Sequence, residues 1–549
     1  MNEIEKSLKT SIQAVIKEKF DTELKLEDIT IEIPKNNTFG DYSTNAAMRL
    51  TKILKKNPQV IANEIIAGLN EKLTNTDKIE IAGPGFINFW MKKTAMADII
   101  NKVLDAKEDY GSNNSGKGLK ILIEYVSANP TGTLHCGHAR GAAWGDATCR
   151  LLEKSGYDVL REYYINDAGH QIYVLGESVY ARYLESYGKD FTLPEDGYHG
   201  KDVIEIMELI KAECGDHYLN VPKEEAIAFF ADAGKKKFLE RIDNDLKYFR
   251  VTMNSWVSEK WIVDEGRVDE ALKTMIDKGL TYELDGAFWF KSTEYGDDKD
   301  RVLKKSDGSY TYLTPDIANH LYKYERGYEK LVDLWGADHH GYIARMAAAI
   351  EANGFPKDSF EVDIIQMVRM VENGQEVKMS KRTGNAITLR ELADDIGIDA
   401  ARYFFVSKAV ETHMDLDLGL ARSKTNDNPV YYAQYAYARI CSILRQAGNN
   451  IERKATYDLL TNQKETELLK HIGSFTNVVA DAALTRSPNK ICNFIQTLAG
   501  NFHSFYAACK VNDPSNPELT AQRLALLEAT RITLKNALDL VGVTAPEKM

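Results

Sequence analysis

The stretch Leu119-Lys-Ile-Leu-Ile-Glu124-Tyr-Val126-Ser127-Ala-Asn129-Pro130-Thr-Gly132-Thr-Leu-His135-Cys136-Gly137-His138 runs from an apolar segment into a loop that carries two histidines around one glycine. Leu119 to Val126 is apolar and β-branched and reads as a buried strand. His138 to Lys154 consists of good helix formers and stops before Gly156, so it reads as a helix. Such a corner sets its loop at the carboxyl end of a strand, where open α/β sheets bind ligands, and aims a helix amino terminus at any phosphate. Taken alone, His135-Cys-Gly-His138 is better read as a pair of solvated loop residues.

A second motif changes that balance. Val377-Lys378-Met379-Ser380-Lys381-Arg382 follows the turn Glu372-Asn-Gly374-Gln and the strand-like run Val362 to Val371, some 240 residues beyond His138. A histidine-glycine-histidine corner with a distant K-M-S-K loop resembles the signature pair of class I aminoacyl-tRNA synthetases, and its lysines would then be mobile cations over a triphosphate. The flanks narrow the resemblance. Glu124-Tyr-Val-Ser127 through His138-Ala-Arg140-Gly141, Tyr310-Thr-Tyr312-Leu-Thr-Pro315-Asp316 and Gly336-Ala-Asp338-His339-His340-Gly341 are similar to the arginyl form of that family. Phe39-Gly-Asp41-Tyr-Ser-Thr-Asn45 and Gly83-Pro-Gly85-Phe86-Ile-Asn88-Phe89 resemble its extra RNA-binding domain. Asp427-Asn-Pro429-Val-Tyr431-Tyr432-Ala-Gln-Tyr435 and the closing Ala545-Pro-Glu-Lys-Met549 resemble its anticodon-binding domain.

The bulk composition is compatible with this and excludes other classes. At 549 residues, three or four domains are expected; 44% hydrophobic and 27% charged residues indicate a globular chain, and no apolar run reaches the length of a membrane span. The amphipathic start (Ile4, Leu8, Ile12, Val15, Ile16) contains Glu3 and Glu5 but no arginine, unlike a transit peptide, so a cytoplasmic address is expected. Six cysteines without a C-x-x-C pair read as reduced core residues, and no structural metal is expected. The net charge of −12 suits tRNA binding only if the charge is unevenly spread; residues 421–549 carry 15 Lys and Arg against 11 Asp and Glu, which leaves −16 for residues 1–420.

Organisation follows from composition breaks and periodicity. The Gly/Ser/Asn-rich stretch from Lys107 to Gly118 reads as a linker. Gly111 to Lys117 also fits G-x-x-x-x-G-K, but Gly118 stands where a phosphate loop needs Ser or Thr, and a strand follows instead of a helix. Three domains are expected: 1–108, α+β and tRNA-binding; 109–399, a Rossmann-like doubly wound parallel-sheet α/β catalytic domain with a helical insertion at about 172–260; and 400–549, an all-α helical bundle. Thr388-Leu-Arg-Glu391 is a capping box that opens a helix. Asp399-Ala-Ala401-Arg402 resembles the family's D-A-L-R signature with alanine in place of leucine.

Arginine activation joins a carboxylate to the α-phosphorus of ATP, so alignment and charge neutralisation carry most of the work. The resemblance gives His135 and His138 hydrogen bonds to phosphate, Gly137 and Gly141 close approach of ATP, and Lys378, Met379, Ser380 and Lys381 the β- and γ-phosphates. A guanidinium presents a rigid fork of donors that suits carboxylates; Glu124 and Asp316 are the candidates, with Tyr312 alongside. Thr314-Pro315 reads as N-cap and first helical position, which puts Asp316 in a first helical turn. Ser127, Asn129 and His138 would hold the α-amino and carboxylate groups, and Asp338 and His339 would line the pocket. For tRNA, Phe86 and Asn88 are expected at the D-loop. Tyr432, Tyr435 and Arg439, on one helix face, are expected at the anticodon together with Met549. The partners so implied are L-arginine, tRNA(Arg) and ATP with Mg²⁺, acting on a monomer. A synthetase for another amino acid and a catalytically silent RNA-binding derivative are the competing readings.

Overall fold

The structure is a computed structural model that describes residues 3–32, 34, 39–377, 386–448, 451, 453–454 and 456–549. Five parallel strands form its central sheet, in the order Phe360–Ile365, Lys330–Gly336, Lys120–Glu124, Asp158–Ile165 and Ser255–Ser258. The strand that comes first in the chain lies in the middle, and the later strands add on one side and then on the other, which is the doubly wound order. The reversal falls between Lys120–Glu124 and Lys330–Gly336, so the crevice beyond their carboxyl ends is where this architecture binds ligands. Ile121, Leu122 and Ile123 are fully buried because helices cover both faces.

The helix after the first strand spans Cys136–Lys154, two residues longer at its start than the composition suggested, because His135 supplies the cap. Three helices, His170–Ser186, Lys201–Cys214 and Lys223–Tyr248, then pack around Leu175, Val179, Ile206, Ile210, Phe230 and Phe238. The chain returns to the sheet with Ser255–Ser258, so the end of the stretch expected as helical insertion supplies the edge strand. The apolar run expected as one strand over Val362–Val371 is two. Phe360–Ile365 closes the central sheet, and Val368–Glu372 joins a second sheet with Gln375–Glu376 and Met414–Asp417. The break is held by buried Arg140, which donates to the carbonyls of Gln366, Ala409 and Thr412 at 2.8, 2.8 and 3.0 Å.

Ahead of the sheet lies an antiparallel four-stranded sheet with the helices Glu3–Phe20, Ala46–Leu54 and Pro58–Lys72. The helix Lys93–Ala106 leaves it and packs on the bundle at the far end of the chain, formed by Pro429–Gln446, Gln463–Leu484, Asn489–Ala508 and Pro517–Leu540. In the linker, a Cβ at Gly116 would lie 2.2 Å from the Tyr157 ring, and its N–H bonds the Ser155 carbonyl at 2.8 Å. The G-x-x-x-x-G-K stretch is thus packed against a helix end and feeds a strand.

Sheet, bundle and chain end meet at a buried charge cluster. Arg402 is fully buried on the helix Ile398–Val406 and donates to Asp146 Oδ2 at 2.5 Å and to the Phe249 carbonyl at 2.9 Å. Arg150 reaches the same carboxylate at 2.7 Å and Arg161 lies 3.8 Å from it. Beside it Asp399 accepts from Arg250, Gln434 and Thr544. Both charged residues of the D-A-A-R stretch therefore hold the domains together.

Candidate active site

The loop that follows the central strand is strained and firmly held. Val126 and Ser127 have φ of +73° and +37°, a conformation that costs a β-branched residue of order 1–3 kcal/mol. Four hydrogen bonds fix it. Tyr163 Oη donates to the Ala128 carbonyl at 2.7 Å and Asn166 Nδ2 to the Ser127 carbonyl at 3.2 Å. Ser127 Oγ donates to Glu124 Oε1 at 3.0 Å and accepts from the Tyr164 N–H at 3.1 Å. From the insertion, Asp202 accepts from the Thr133 N–H at 3.2 Å.

At the corner, His135 Nδ1 accepts from the Gly137 N–H at 3.1 Å, and His138 Nδ1 accepts from the His135 N–H at 3.3 Å. A Cβ at Gly137 would lie 2.8 Å from the His135 ring, so only glycine permits this cap. With both Nδ1 atoms accepting, each ring carries its proton on Nε2. Burial lowers both pKa values, that of His138 to about 4 with the neighbouring His135 adding to the effect. At neutral pH the corner offers two uncharged N–H donors whose rings are 3.8 Å apart.

The K-M-S-K residues Lys378, Met379, Ser380 and Lys381 lie outside the described residues. Their flank is described: Cys136 N–H donates to the Ile387 carbonyl at 2.9 Å and Leu389 N–H to the Leu134 carbonyl at 2.8 Å, around an antiparallel bridge between His135 and Thr388. Thr388 and Glu391 form the expected capping box.

On the other side of the central strand end lies a recess rich in carboxylates. The helix Leu313–Glu325 starts earlier than the sequence suggested: Tyr312 is its N-cap, and buried Thr314 donates to the Leu303 carbonyl at 2.7 Å instead of capping. Asp316 still falls in the first turn, and with His320 and Lys323 it lies at i, i+4 and i+7 on the face turned to the sheet. Lys323, fully buried, reaches Glu124 Oε2 at 2.6 Å and Asp333 Oδ1 at 3.1 Å. His320 Nε2 lies 2.8 Å from Asp333 Oδ2, and its Nδ1 lies 2.7 Å from the Asp316 carbonyl. Burial opposes charge on Asp333, but Lys323 and His320 outweigh it and hold its carboxyl at about 2. Burial raises the Glu124 pKa despite Lys323, with Asp333 and Glu162 pushing the same way. Burial also raises Asp316, whose carboxylate accepts from Tyr342 Oη at 2.6 Å.

Two further acids belong to this recess and were not singled out from the sequence. Glu259 opens the helix Glu259–Asp264, and its pKa is raised to about 7 by burial and then by Asp316 and Asp167. Asp167, 5% exposed, accepts from Ser258 Oγ, the Lys260 N–H and Lys235 Nζ at 2.8, 2.9 and 3.2 Å. An acid just past a parallel strand is a readable signal for Asp167. Glu259 is masked by its place after the capping Ser258, where it reads as a dipole partner.

Other candidates fall as follows. Tyr312 is 87% exposed, and the phenol on Asp316 is that of Tyr342. Ser127 spends its hydroxyl on Glu124 and the Tyr164 N–H, and Asn129 is exposed on the loop. Asp338 and His339 are exposed on the short helix Ala337–Tyr342, 3.5 Å apart. Gly141 lets the helix approach Ile365, 3.2 Å from an added Cβ. Phe86 is half-buried, whereas Asn88 is 2% exposed and accepts from Ser43 Oγ at 2.7 Å. In the bundle, the Tyr432 and Tyr435 rings lie 4.8 and 6.1 Å from His503, and Arg439 covers Tyr506 at 5.0 Å. Met549 is exposed. Among the described residues no group of three or more His, Cys, Asp or Glu is placed to hold a metal, and no helix is long and apolar enough to cross a membrane.

Three family models match along the chain: the arginyl tRNA synthetase N terminal domain over residues 6–91, the class I (R) tRNA synthetase catalytic domain over 99–417 and the DALR anticodon binding domain over 433–549. The arginine–tRNA ligase of Bacillus licheniformis is 53% identical over 540 residues, 98% of this chain and 97% of that protein; the Bacillus subtilis one is 52% identical over 99% and 98%. A crystal structure of a putative arginyl t-RNA synthetase from Campylobacter jejuni superposes with a TM-score of 0.77 at 36% identity, covering 84% of this chain and all of that one. Thermus thermophilus arginyl-tRNA synthetase shares the fold over the full length of both chains, with a TM-score of 0.77 at 22% identity.

Proposed function

The chain belongs to the arginyl-tRNA synthetase family, and we propose that its acidic recess takes the guanidinium of L-arginine while its histidine corner and K-M-S-K lysines take ATP. It is an arginine–tRNA ligase: it joins L-arginine to its cognate tRNA through an arginyl-adenylate, with release of AMP and pyrophosphate. In the proposed arrangement Asp316, Glu259 and the free lone pairs of Glu124 face the guanidinium, and the exposed loop at Asn129 faces the α-amino and carboxylate groups. The Nε2–H groups of His135 and His138 donate to the phosphates as charge moves onto the leaving pyrophosphate. Lys378 and Lys381 tighten on it in the transition state, which is differential binding. ATP enters as its Mg²⁺ complex.

The observation that carries this reading is a pair of hydrogen bonds: the Cys136 N–H donates to the Ile387 carbonyl and the Leu389 N–H to the Leu134 carbonyl. They tie the chain at Ile387 and Leu389, a few residues after Lys381 in the sequence, to the histidine corner, which supports assigning both motifs to the same phosphates. Phe86 at the D-loop and Tyr432, Tyr435, Arg439 and Met549 at the anticodon are the proposed tRNA contacts; Asn88 would support its strand rather than touch a base. The proposed units are residues 1–108, 109–399 and 400–549, in a cytoplasmic monomer.

The test is single-turnover charging of tRNA with arginine by Lys378→Ala and Lys381→Ala variants. Each is expected to lower the rate by 10²-fold or more, with the arginine KM unchanged. Variants that form adenylate at the normal rate would overturn the assignment.

A further inference from the structure

Tyr164 presents an anomaly at the edge of the recess. It is the penultimate residue of the strand Asp158–Ile165, is 5% exposed, and its hydroxyl is buried with no hydrogen-bond partner among the described residues. Buried hydroxyls are nearly always bonded, because an unmet one loses its hydration for nothing in return. The ring packs in a small cluster with Val257, Ile262 and Ala318. Ala318 lies two residues beyond Asp316 on the recess helix, and Ile262 three residues beyond Glu259 on the next. The Tyr164 N–H is itself bonded to Ser127 Oγ, which donates to Glu124. Two helices that carry recess acids therefore pack on this ring, and its backbone is tied to the loop that follows Glu124.

We infer that Tyr164 is a specificity-determining residue of the arginine recess, its hydroxyl accepting one guanidinium N–H while donating to a recess carboxylate. This rests on the assignment of the recess to the guanidinium. A guanidinium has five N–H donors and no acceptor, so a site made of carboxylates alone satisfies it only along the directions they cover. A neutral hydroxyl adds an acceptor and hands its own proton to a neighbouring acid, which lowers the repulsion among carboxylates. Burial, with Glu259, Asp316, Glu124 and Asp167 pushing the same way, drives the phenol pKa far above its ordinary value, so the group stays a neutral O–H at every working pH. Lysine, whose ammonium is compact and lacks the planar fork, would not reach the hydroxyl and the acids together.

The test separates binding from packing because the two pull stability in opposite directions. In the full-length enzyme with tRNA and ATP, Tyr164→Phe is expected to raise the arginine KM roughly ten- to hundredfold with kcat and the ATP KM unchanged. Its melting temperature without substrate should be unchanged or higher, since an unsatisfied buried hydroxyl has been removed. An arginine KM within twofold of the parent, or a lower melting temperature with arginine and ATP KM rising together, would overturn the inference. Asp316→Asn serves as the parallel arm. If it raises the arginine KM and Tyr164→Phe does not, the inference alone fails; if neither moves it, the recess assignment fails with it.

Discussion

Two buried charge clusters in this molecule are built with opposite imbalance. At the joint between sheet, bundle and chain end, one carboxylate, Asp146, sits among the guanidinium groups of Arg402, Arg150 and Arg161 at 2.5, 2.7 and 3.8 Å. Burial works against its charge, yet the cations win and its pKa is lowered. In the recess, Glu124, Asp333, Asp316, Glu259 and Asp167 share the ammonium groups of Lys323 and Lys235, and three of these acids have raised pKa values. The first cluster is closed: its carboxylate is ionised and surrounded. The second holds acids whose ionisation costs energy until a further cation arrives, which is the electrostatic condition for selecting a cationic substrate. The sign of the imbalance distinguishes a clamp from a binding site more clearly than burial does, since both clusters mix fully buried groups with partly exposed ones.

The comparison breaks first at Arg402. Replacing it with methionine leaves Asp146 with weaker partners in a dry interface, which typically costs about 3–5 kcal/mol. Arg402→Met is expected to lose stability of that order in denaturant unfolding and leave the arginine KM within twofold. A variant of parental stability with impaired arginine binding would show that the joint belongs to the site.

The opposite pattern is expected at Asp316. Asp316→Asn removes a charge the fold bears at a cost, so the melting temperature should hold or rise. The loss of a charge-assisted bond should lower kcat/KM for arginine by about 2–4 kcal/mol, or roughly 30- to 1000-fold. Steady-state charging together with thermal unfolding measures both. A variant that loses stability and keeps its activity would make Asp316 a structural residue.

How much of this was readable in advance depends on whether the signal is local. The strand, loop and helix around His135, the capping box at Thr388 and the separate helical bundle follow from short-range pattern, and the structure contains each. Misreadings came where tertiary contact overrides local preference. Thr314 looks like an N-cap, but its hydroxyl is claimed by Leu303 from another strand, so the helix begins earlier. Val362 to Val371 looks like one strand, but Arg140, more than two hundred residues away, splits it at Gln366. Asp316 could be picked out because it sits in a motif; Tyr342, Lys323 and Glu259 could not, because what joins them to it is the crossing of a helix over strand ends. Glu124 reads as a carboxylate for the guanidinium, and the structure adds that Lys323 and Ser127 already occupy part of it.

The smallest expected effect sharpens the comparison most, because it tests the imbalance by titration. Glu259 has a folded pKa of about 7 against an ordinary 4.5. Between those values the folded chain holds a proton that the unfolded chain has released, so the group's contribution to stability is largest below pH 4.5 and declines as pH rises through 7. A bound guanidinium reverses this preference by favouring the ionised acid. The arginine KM should therefore fall as pH is raised from 6 to 8, by up to roughly tenfold, with a proton released on binding. His138, near 4, does not titrate in that window. Glu259→Gln should flatten the profile and narrow the difference between melting temperatures at pH 6 and pH 8. A parental profile in the variant would mean that Glu259 does not face the substrate, and the anion surplus would then rest on Asp316 and Glu124 alone.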